Sequence, residues 1–273
     1  MTDNTRAQEC THIPVMLNEI QEALNIKIHG QYADLTYGVG GYSRAIASAS
    51  QNKVQASDRD LAAVKIGAND PNVIMQHARF SDLQFAPESL DGIVADLGLS
   101  TPQISQDDRG FSFMRSGPLD MRMGLCTKSA LELIESSSEA QLAEILWKYG
   151  EEPRSRSIAK AIKATRLSST LELVKLVSQL TYHKGRNPAT RTFQALRIAV
   201  NNELHELEYL LCNANTWLKP NGRLVIVAFH SLEDRMVKYH LKSWKATKRM
   251  LPSEGEIQQN PSSRSAKLRW GEK

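Results

Sequence analysis

The sequence predicts an α/β protein with a doubly wound, mostly parallel sheet that is interrupted by a small helical subdomain. Three observations support this prediction. Four short apolar runs typical of strands lie in the first hundred residues, with spacings that fit helices or loops between them. About 125 residues of helix-like sequence precede a fifth apolar run. A glycine-rich turn follows the first run and leads into a helix-like segment.

The predicted elements follow in chain order. Strands are expected at Tyr32–Leu35, Val54–Ser57, Val73–Met75, Ile93–Leu97 and Leu224–Phe229. Helical spacing predicts helices near 129–148, 153–167, 170–181 and Thr190–Cys212. A turn is expected at 219–222, and the last twenty residues predict a loop. We therefore expect one domain built from residues 1–104 and 190–273, with an inserted helical subdomain for substrate recognition at 105–189.

The composition favours one large domain, or one domain with an insertion, in the cytosol. A hydrophobic content of 41% over 273 residues supports a buried core. No apolar run approaches the roughly 18 residues of a membrane span, and the N-terminus shows no presequence pattern. The three cysteines, Cys10, Cys126 and Cys212, are scattered and lack C-x-x-C spacing. Neither a disulfide framework nor a cysteine-based zinc site is expected.

The charge is divided unevenly along the chain. Residues 1–150 hold 12 Lys/Arg and 19 Asp/Glu, a net charge of −7, whereas residues 151–273 hold 22 and 11, a net charge of +11. This split suggests a polyanionic partner for the second half, and the alternative is ordinary solvated helix faces. Aromatic residues among the basic ones, such as Trp244 within 242–249, favour nucleic acid.

Two segments indicate a nucleotide-type site. The turn Gly38-x-Gly40-Gly41 lets a ligand approach the backbone and the start of a helix, although Ser43 replaces the last glycine of a dinucleotide fingerprint. The segment 98–123 is rich in Gly, Pro, Phe and acidic residues, and a loop of this length in a compact domain suggests binding.

Two acidic residues end predicted strands. Asp58 can accept hydrogen bonds from both hydroxyls of a ribose, and its alternative role is the N-cap of a following helix. Acids at this point occur in both NAD enzymes and methyltransferases that use S-adenosylmethionine (SAM). Asp96 lies where doubly wound methyltransferases place the polar group that faces the methyl donor and the substrate amine. The alternative for Asp96 is a carboxylate that caps the next turn.

The sequence resembles the bacterial 16S ribosomal RNA (cytosine-N4) methyltransferase family, RsmH or MraW. The match runs almost end to end and includes 12–19, 34–43, 78–83, 91–123, 149–152, 187–198, 222–238 and 260–267. Its most specific motifs are Asp-x-Gly-x-Ser from Asp96, Gly-Phe-Ser-Phe from Gly110, Gly-Pro-Leu-Asp-Met-Arg-Met from Gly117 and Phe-His-Ser-Leu-Glu-Asp-Arg from Phe229. The resemblance implies a Rossmann-like SAM-dependent fold and methylation of cytidine N4 in the decoding region of 16S rRNA.

The resemblance also implies the residues that contact SAM: Gly40, Gly41, Tyr42, Asp58, Phe80, Asp96 and Gln103. Phe80 offers a flat apolar face to a purine, although such an aromatic is often a core residue. Gln103 has donors and an acceptor to orient a ligand. The usual family turn Phe-Gly-Arg-Gly-Gly-His is Tyr37-Gly-Val-Gly-Gly-Tyr42 here, so we expect Tyr42 to act through its backbone. Gly124 replaces the usual Asp, and the stretches after Leu83 and between 238 and 260 are shorter than usual.

Catalysis is expected to depend on positioning and electrostatics, because cytosine N4 has little proton affinity. Asp96 is the first candidate to accept the N4 hydrogen, and His230 is the second, with a packed structural histidine as its alternative. His12 belongs to a matching motif without an assigned role. No metal-ligand pattern appears among the seven histidines, so no metal is expected.

The predicted partner is 16S rRNA or the small ribosomal subunit, with a homodimer plausible from the resemblance. The candidate RNA-binding residues are Arg154, Arg156, Lys160, Lys163, Arg186, Arg191 and Arg197, of which the last two could instead pack on the sheet. Two other functions compete. An NAD(P)-dependent oxidoreductase would need a compact substrate domain, which the arginine-rich stretch 154–197 argues against. A non-enzymatic RNA-binding factor is supported only by Val39 and Tyr42.

Overall fold

The computed structural model describes residues 14–181 and 187–273. Within those ranges one sheet contains seven strands: β1 Tyr32–Asp34, β2 Val54–Asp58, β3 Val73–His77, β4 Leu90–Asp96, β5 Leu218–Ala228, β6 Ala246–Met250 and β7 Lys267–Glu272. Their order is β3-β2-β1-β4-β5-β7-β6. Strands β1 to β5 pair in parallel, and β7 is antiparallel to both of its neighbours. This order confirms the predicted doubly wound α/β fold, which reverses direction beside β1.

The helices alternate with the first strands and then dominate the segment between β4 and β5. They are α1 Leu17–Leu24, α2 Gly41–Ser50, α3 Leu61–Gly67, α4 Thr101–Ser105, α5 Ala130–Ser136, α6 Glu139–Gly150, α7 Ser155–Ala164, α8 Thr170–Leu180, α9 Thr190–Asn201, α10 Glu203–Trp217, α11 Ser231–His240 and α12 Glu254–Gln259. In the part of the chain that the structure describes, no helix has the length and apolar character needed to cross a bilayer.

Two predicted helices are each broken into two. The segment 129–148 divides at 137–138, because the Ser138 side chain accepts a hydrogen bond from the Gln141 N–H and starts α6. The segment Thr190–Cys212 divides at Asn202, whose φ of 52° is left-handed and ends α9. Periodicity alone did not detect these breaks, since apolar spacing continues across both of them.

The predicted C-terminal loop is wrong, and two strands were missed. Residues 254–273 contain α12 and β7, and β6 precedes them. Strand β6 is exposed along almost its whole length and carries Lys248 and Arg249, so it lacks the apolar alternation of a buried strand. Strand β5 begins at Leu218, so the predicted turn lies inside its bounds, where Asn221 has a φ of 63° and the pairing with β4 shifts.

Three hydrophobic clusters hold these elements. Alternate residues of β4 and β5 face opposite sides of the sheet, so Val94 and Val225 pack towards α1 and α2, whereas Ile93 and Leu224 pack towards α10 and α11. The third cluster joins α5 to α9. Helix α9 therefore packs with the other helices of this segment, and of the two helices α9 and α10 it is α10 that covers the sheet.

Candidate active site

A cavity of ≈ 320 Å³ lies at the carboxyl ends of β1, β2 and β4. Residues that follow β1, β2, β3 and β4 all contribute to its wall, together with residues at the end of β5. In a doubly wound sheet this position, beside the reversal of strand order, is where ligands bind. The volume lies in the range of small-molecule sites, about 300–1,000 Å³.

The glycine turn after β1 forms one wall of the cavity. Gly38 and Gly40 have φ of 57° and 81°, left-handed values that glycine adopts without strain. A Cβ atom on Gly40 would overlap the Tyr37 hydroxyl, so this position also needs glycine for space. Gly41 and Tyr42, the first residues of α2, line the cavity, whereas Gly40 stands behind the wall as the residue that precedes α2.

Asp58 is held at the cavity by the backbone on both sides. Its Oδ2 accepts from the Gly38 N–H at 2.8 Å and its Oδ1 accepts from the Asp60 N–H at 2.8 Å. Burial raises the pKa of this carboxyl. Each oxygen retains a lone pair for the hydroxyl of a ligand. The alternative helix-cap role is wrong for Asp58, because Asp60 caps α3 through the Ala62 N–H at 2.9 Å.

Asp96 lines the cavity and has a buried carboxylate oxygen without a partner among the described residues. Its Oδ1 is buried and makes no hydrogen bond among the described residues, and its Oδ2 lies 3.4 Å from the Tyr42 hydroxyl. Burial raises the pKa of Asp96 to about 8, and the negative charge of Asp34 adds to this effect. Because buried polar groups are nearly always paired, this orphan oxygen marks a place where a ligand would supply a donor or a positive charge.

The Tyr42 side chain has a role that the sequence did not predict. Its single hydroxyl hydrogen is donated to the Val15 carbonyl in a short hydrogen bond. The phenol therefore ties the start of α2 to the segment before α1, and its oxygen lies beside Asp96. The predicted backbone contact of Tyr42 with a cofactor stays a prediction.

Asp34 is a third acidic residue that the sequence analysis missed. It is fully buried at the end of β1, where its Oδ2 accepts from the Ser43 hydroxyl at 2.7 Å. Burial raises its pKa to about 6. The signal was present, because Asp34 ends an apolar run in the same way as Asp58 and Asp96. Among the described residues none of these three carboxyls forms an ion pair, so the site suits a ligand that carries positive charge.

Phe80 and Gln103 also line the cavity. Phe80 is half-buried in a 3-10 turn directly after β3, so one side of its ring packs on the core and the other is open to the cavity. Gln103 is buried and already committed to the protein: its Oε1 accepts from the Ser100 N–H at 3.0 Å and its Nε2 donates to Asp60 at 2.8 Å. One Nε2 hydrogen remains for a ligand.

His230 lies behind the wall as the N-cap of α11. Its Nδ1 accepts from the Glu233 N–H at 3.4 Å, and its buried Nε2 lies 3.1 Å from the Glu233 carboxylate without hydrogen-bond geometry. The neighbours Phe229 and Glu233 line the cavity, but His230 does not. Its position fits the structural alternative better than contact with a substrate.

Arg197 is mostly buried and paired, which favours its structural alternative over the predicted contact with RNA phosphate. Its Nε and Nη2 donate to the two oxygens of Glu203 at 2.8 Å each, and only 16% of the side chain is exposed. Nε and Nη2 of the guanidinium are thereby engaged in a bidentate ion pair at the cavity wall. The sequence analysis gave packing on the sheet as the alternative for this arginine, but it could not show that Glu203 starts the next helix beside it.

Glu203, His230 and Glu233 place one ligand atom each within 4.8 Å of one another, a spacing that a metal ion could bridge. Two contacts oppose such a use. Nδ1 of His230 acts as an acceptor, so the hydrogen of the neutral ring sits on Nε2, which a metal would need free. Glu203 is also neutralised by Arg197. These residues form a buried charge network at the base of the cavity.

The other candidate RNA-binding residues lie on the helical segment. Arg156 and Lys160 are exposed on the outer face of α7 and make no ion pair with described residues. Lys163 donates to the carbonyls of Ile134 and Glu135, and Arg154 donates to the Leu180 carbonyl at 2.6 Å. Arg191 donates to the Glu151 carbonyl at 2.9 Å. Arg186 and His12 lie outside the described residues.

A family model for the MraW methylase family matches residues 9–273 of the chain. Ribosomal RNA small subunit methyltransferase H of Picosynechococcus sp. is 44% identical, over 97% of this chain and 98% of that protein. The protein of the same name from Xanthobacter autotrophicus is 43% identical, over 96% of this chain and 87% of its own length.

Solved structures show weaker similarity. An rRNA methylase from Streptococcus thermophilus aligns with a TM-score of 0.41 and 12% identity, over 96% of this chain and 98% of that chain. A SAM dependent methyltransferase from Aquifex aeolicus aligns with a TM-score of 0.43 and 9% identity, over 94% of this chain and 89% of that chain. The family model covers the glycine turn, the three strand-end carboxyls and the helical segment alike, and with relatives above 40% identity it shows that this chain belongs to the MraW methylase family.

Proposed function

We propose that this protein methylates N4 of a cytidine in the decoding region of 16S ribosomal RNA and takes the methyl group from SAM. The observation that carries the proposal is the buried Oδ1 of Asp96, which lacks a partner among the described residues and belongs to a residue that lines the cavity at the carboxyl ends of the strands. The full-length match to relatives named as small-subunit rRNA methyltransferases supports the substrate class.

The residues present fit SAM. Asp58 would hold the ribose hydroxyls, since both of its oxygens are positioned by backbone N–H groups and still have lone pairs. The open side of the Phe80 ring would support the adenine. The unpaired carboxyls suit a cationic ligand, and SAM carries its methyl group on a positively charged sulfonium.

Asp96 would position the reacting amine. In its ionised form Oδ1 accepts a hydrogen of N4 and orients the nitrogen lone pair, and no base needs to act before transfer. A cation bound beside Asp96 favours this ionised form, because it offsets the burial and the charge of Asp34 that hold the pKa near 8 in the absence of ligand. The other oxygen lies 3.4 Å from the Tyr42 hydroxyl.

The helical segment 105–189 would recognise the RNA. Its exposed basic residues on α7, Arg156 and Lys160, are available to neutralise phosphates. The target base has to leave its stack to reach the buried Asp96, as in other enzymes that act on a base. We extend the proposal to a cytoplasmic protein that works as a homodimer, a state that light scattering coupled to size exclusion would measure.

Two measurements test the proposal. Calorimetric titration with SAM and with NADH separates the methyltransferase from an oxidoreductase and from an RNA-binding factor without a cofactor. Labelled SAM is then incubated with small-subunit rRNA, as free RNA and as assembled subunits, from cells that lack this enzyme. Mass spectrometry of the nuclease digest should show N4-methylcytidine at one decoding-region position. Binding of NADH alone, or label on another nucleoside, would contradict the proposal.

A further inference from the structure

Met114 is the most exposed large apolar side chain in the part of the chain that the structure describes, with 73% of its surface accessible. It stands in the irregular segment between α4 and α5, next to the buried Gly-Phe-Ser-Phe motif. Single exposed apolar residues are ordinary on protein surfaces. Two further features, the anchoring of this segment and its position, distinguish Met114 from the others.

The segment around Met114 is held rigidly from both sides. Phe113, directly before it, packs its ring edge-on against Phe193 of α9 at 6.0 Å between centroids. Thr170 fixes the chain after it: its hydroxyl donates to the Arg115 carbonyl at 2.7 Å and accepts from the Gly117 N–H at 3.0 Å. The exposed side chain is thus presented on a fixed backbone, which lowers the entropy lost on binding.

The segment also lies beside the mouth of the cavity. Arg115 donates from Nη2 to the Ile104 carbonyl at 3.0 Å, and its Nε pairs with Asp107 at 2.9 Å. Ile104 itself lines the cavity and is 43% exposed. A Cβ atom on Gly117 would overlap the Asp107 carbonyl, so the two stretches of chain are in direct contact. Met114 therefore directly precedes a residue whose side chain contacts the cavity lining at Ile104.

We propose that Met114 acts as a wedge that enters the RNA base stack beside the target cytidine and holds that cytidine in its unstacked state. This inference rests on the proposed function. Apolar side chains, methionine among them, are inserted between base steps by proteins that unstack nucleic acids. Arg115, the next residue, pairs with Asp107 but keeps 48% of its side chain exposed, so it would lie within reach of RNA phosphates beside the inserted side chain.

The test uses an rRNA fragment that contains the mapped target cytidine, and a second fragment with abasic nucleotides on both sides of it. Single-turnover methylation at saturating enzyme and SAM is measured for the wild type, Met114→Ala and Met114→Leu. Ile28→Ala is the matched control, because Ile28 is 65% exposed and lies before β1, at the amino ends of the parallel strands, whereas the cavity lies at their carboxyl ends. Calorimetry confirms that all variants bind SAM equally.

We expect Met114→Ala to lower the rate constant about tenfold on the intact fragment, a loss of the size of one stacking contact. On the abasic fragment, where no stack has to be opened, Met114→Ala should match the wild type. Met114→Leu and Ile28→Ala should methylate both fragments normally. A wild-type rate for Met114→Ala on the intact fragment, or an equal loss on both fragments, would overturn the wedge. If the wild type methylates neither the fragments nor assembled small subunits, the proposed function fails instead.

Discussion

The electrostatics of Asp96 predict a dependence of stability on pH that one substitution should remove. The carboxyl has a pKa of about 8 in the folded protein, against an ordinary value of about 3.9 in an unfolded chain. The folded state therefore binds one proton that the unfolded state has lost. Since stability falls with pH wherever the folded state holds more protons, ionisation of Asp96 destabilises the protein as pH rises.

The window from pH 7 to pH 9 isolates this group. The unfolded carboxyl is fully ionised throughout, and the folded one passes through its pKa, so the free energy of unfolding should fall by about 1.4 kcal/mol across the window. Asp34, with a folded pKa of about 6, has mostly completed its titration by pH 7. His240, whose pKa is lowered by burial in the folded state, is mostly neutral in both states from pH 7 upward, and its small contribution is common to the wild type and the Asp96 variant.

Urea unfolding of the wild type and Asp96→Asn at pH 7, 8 and 9 measures the difference directly. Asparagine keeps the shape of the side chain and cannot ionise, so its curve should lack the fall of about 1.4 kcal/mol that the wild type shows. The same variant should lose methyl transfer at saturating SAM and RNA, because an amide is a poorer acceptor for the N4 hydrogen than a carboxylate. Parallel pH curves for the two proteins would show that Asp96 is already ionised at pH 7 and refute the reasoning.

Three other variants test separate parts of the molecule. Asp58→Asn should weaken SAM binding in calorimetry by roughly 1.5–3 kcal/mol with the unfolding midpoint nearly kept, and unchanged affinity would remove Asp58 from the ribose contacts. Arg156→Glu combined with Lys160→Glu should make RNA affinity fall less steeply with salt and should leave SAM binding intact. The control, Lys65→Glu on α3, should leave the salt dependence of RNA affinity unchanged. If the double variant shows the wild-type salt dependence, the basic face of α7 has no role in RNA binding. Arg197→Met should destabilise the protein by about 3–5 kcal/mol, because its buried carboxylate partner loses its counter-charge, and a change under about 1 kcal/mol would show that the pair is solvated.

The sheet could be predicted from the sequence where its strands are buried on both sides. Runs such as Ile93–Leu97 show apolar residues on both faces, and β4 indeed packs into two separate clusters. Strand β6 gave no such signal, because it lies at the edge of the sheet and pairs only with β7. The break at Asn202 was hidden for a different reason: a left-handed residue interrupts the helix without interrupting the apolar spacing.

Two of the acidic residues that line the cavity could be predicted from the sequence, but their contacts could be predicted only in part. Acidic residues at strand ends pointed to Asp58 and Asp96, since a parallel sheet brings its carboxyl ends together. Which carboxylate caps α3 depends on one backbone angle, so Asp58 and Asp60 could not be separated by sequence. The orientation of Arg197 depends on a carboxylate six residues later, across a helix break that was not foreseen.

One group of contacts anchors the long loop that follows β4. Asp60, two residues after the proposed ribose ligand, accepts from Gln103 at 2.8 Å and from Arg109 at 2.8 Å. Arg109 also donates to the Arg122 carbonyl at 3.0 Å, so the start and the end of the loop are both held beside Asp60. The pKa of Asp60 is lowered overall: burial opposes ionisation, and the hydrogen bonds from Gln103 and Arg109 outweigh it. This charge-assisted junction fixes the loop that carries Met114 relative to Asp58 and Asp96. The proposed cofactor residues and the proposed RNA wedge are therefore positioned by the same carboxylate. A substrate base that enters past the wedge would meet an acceptor whose place is already set.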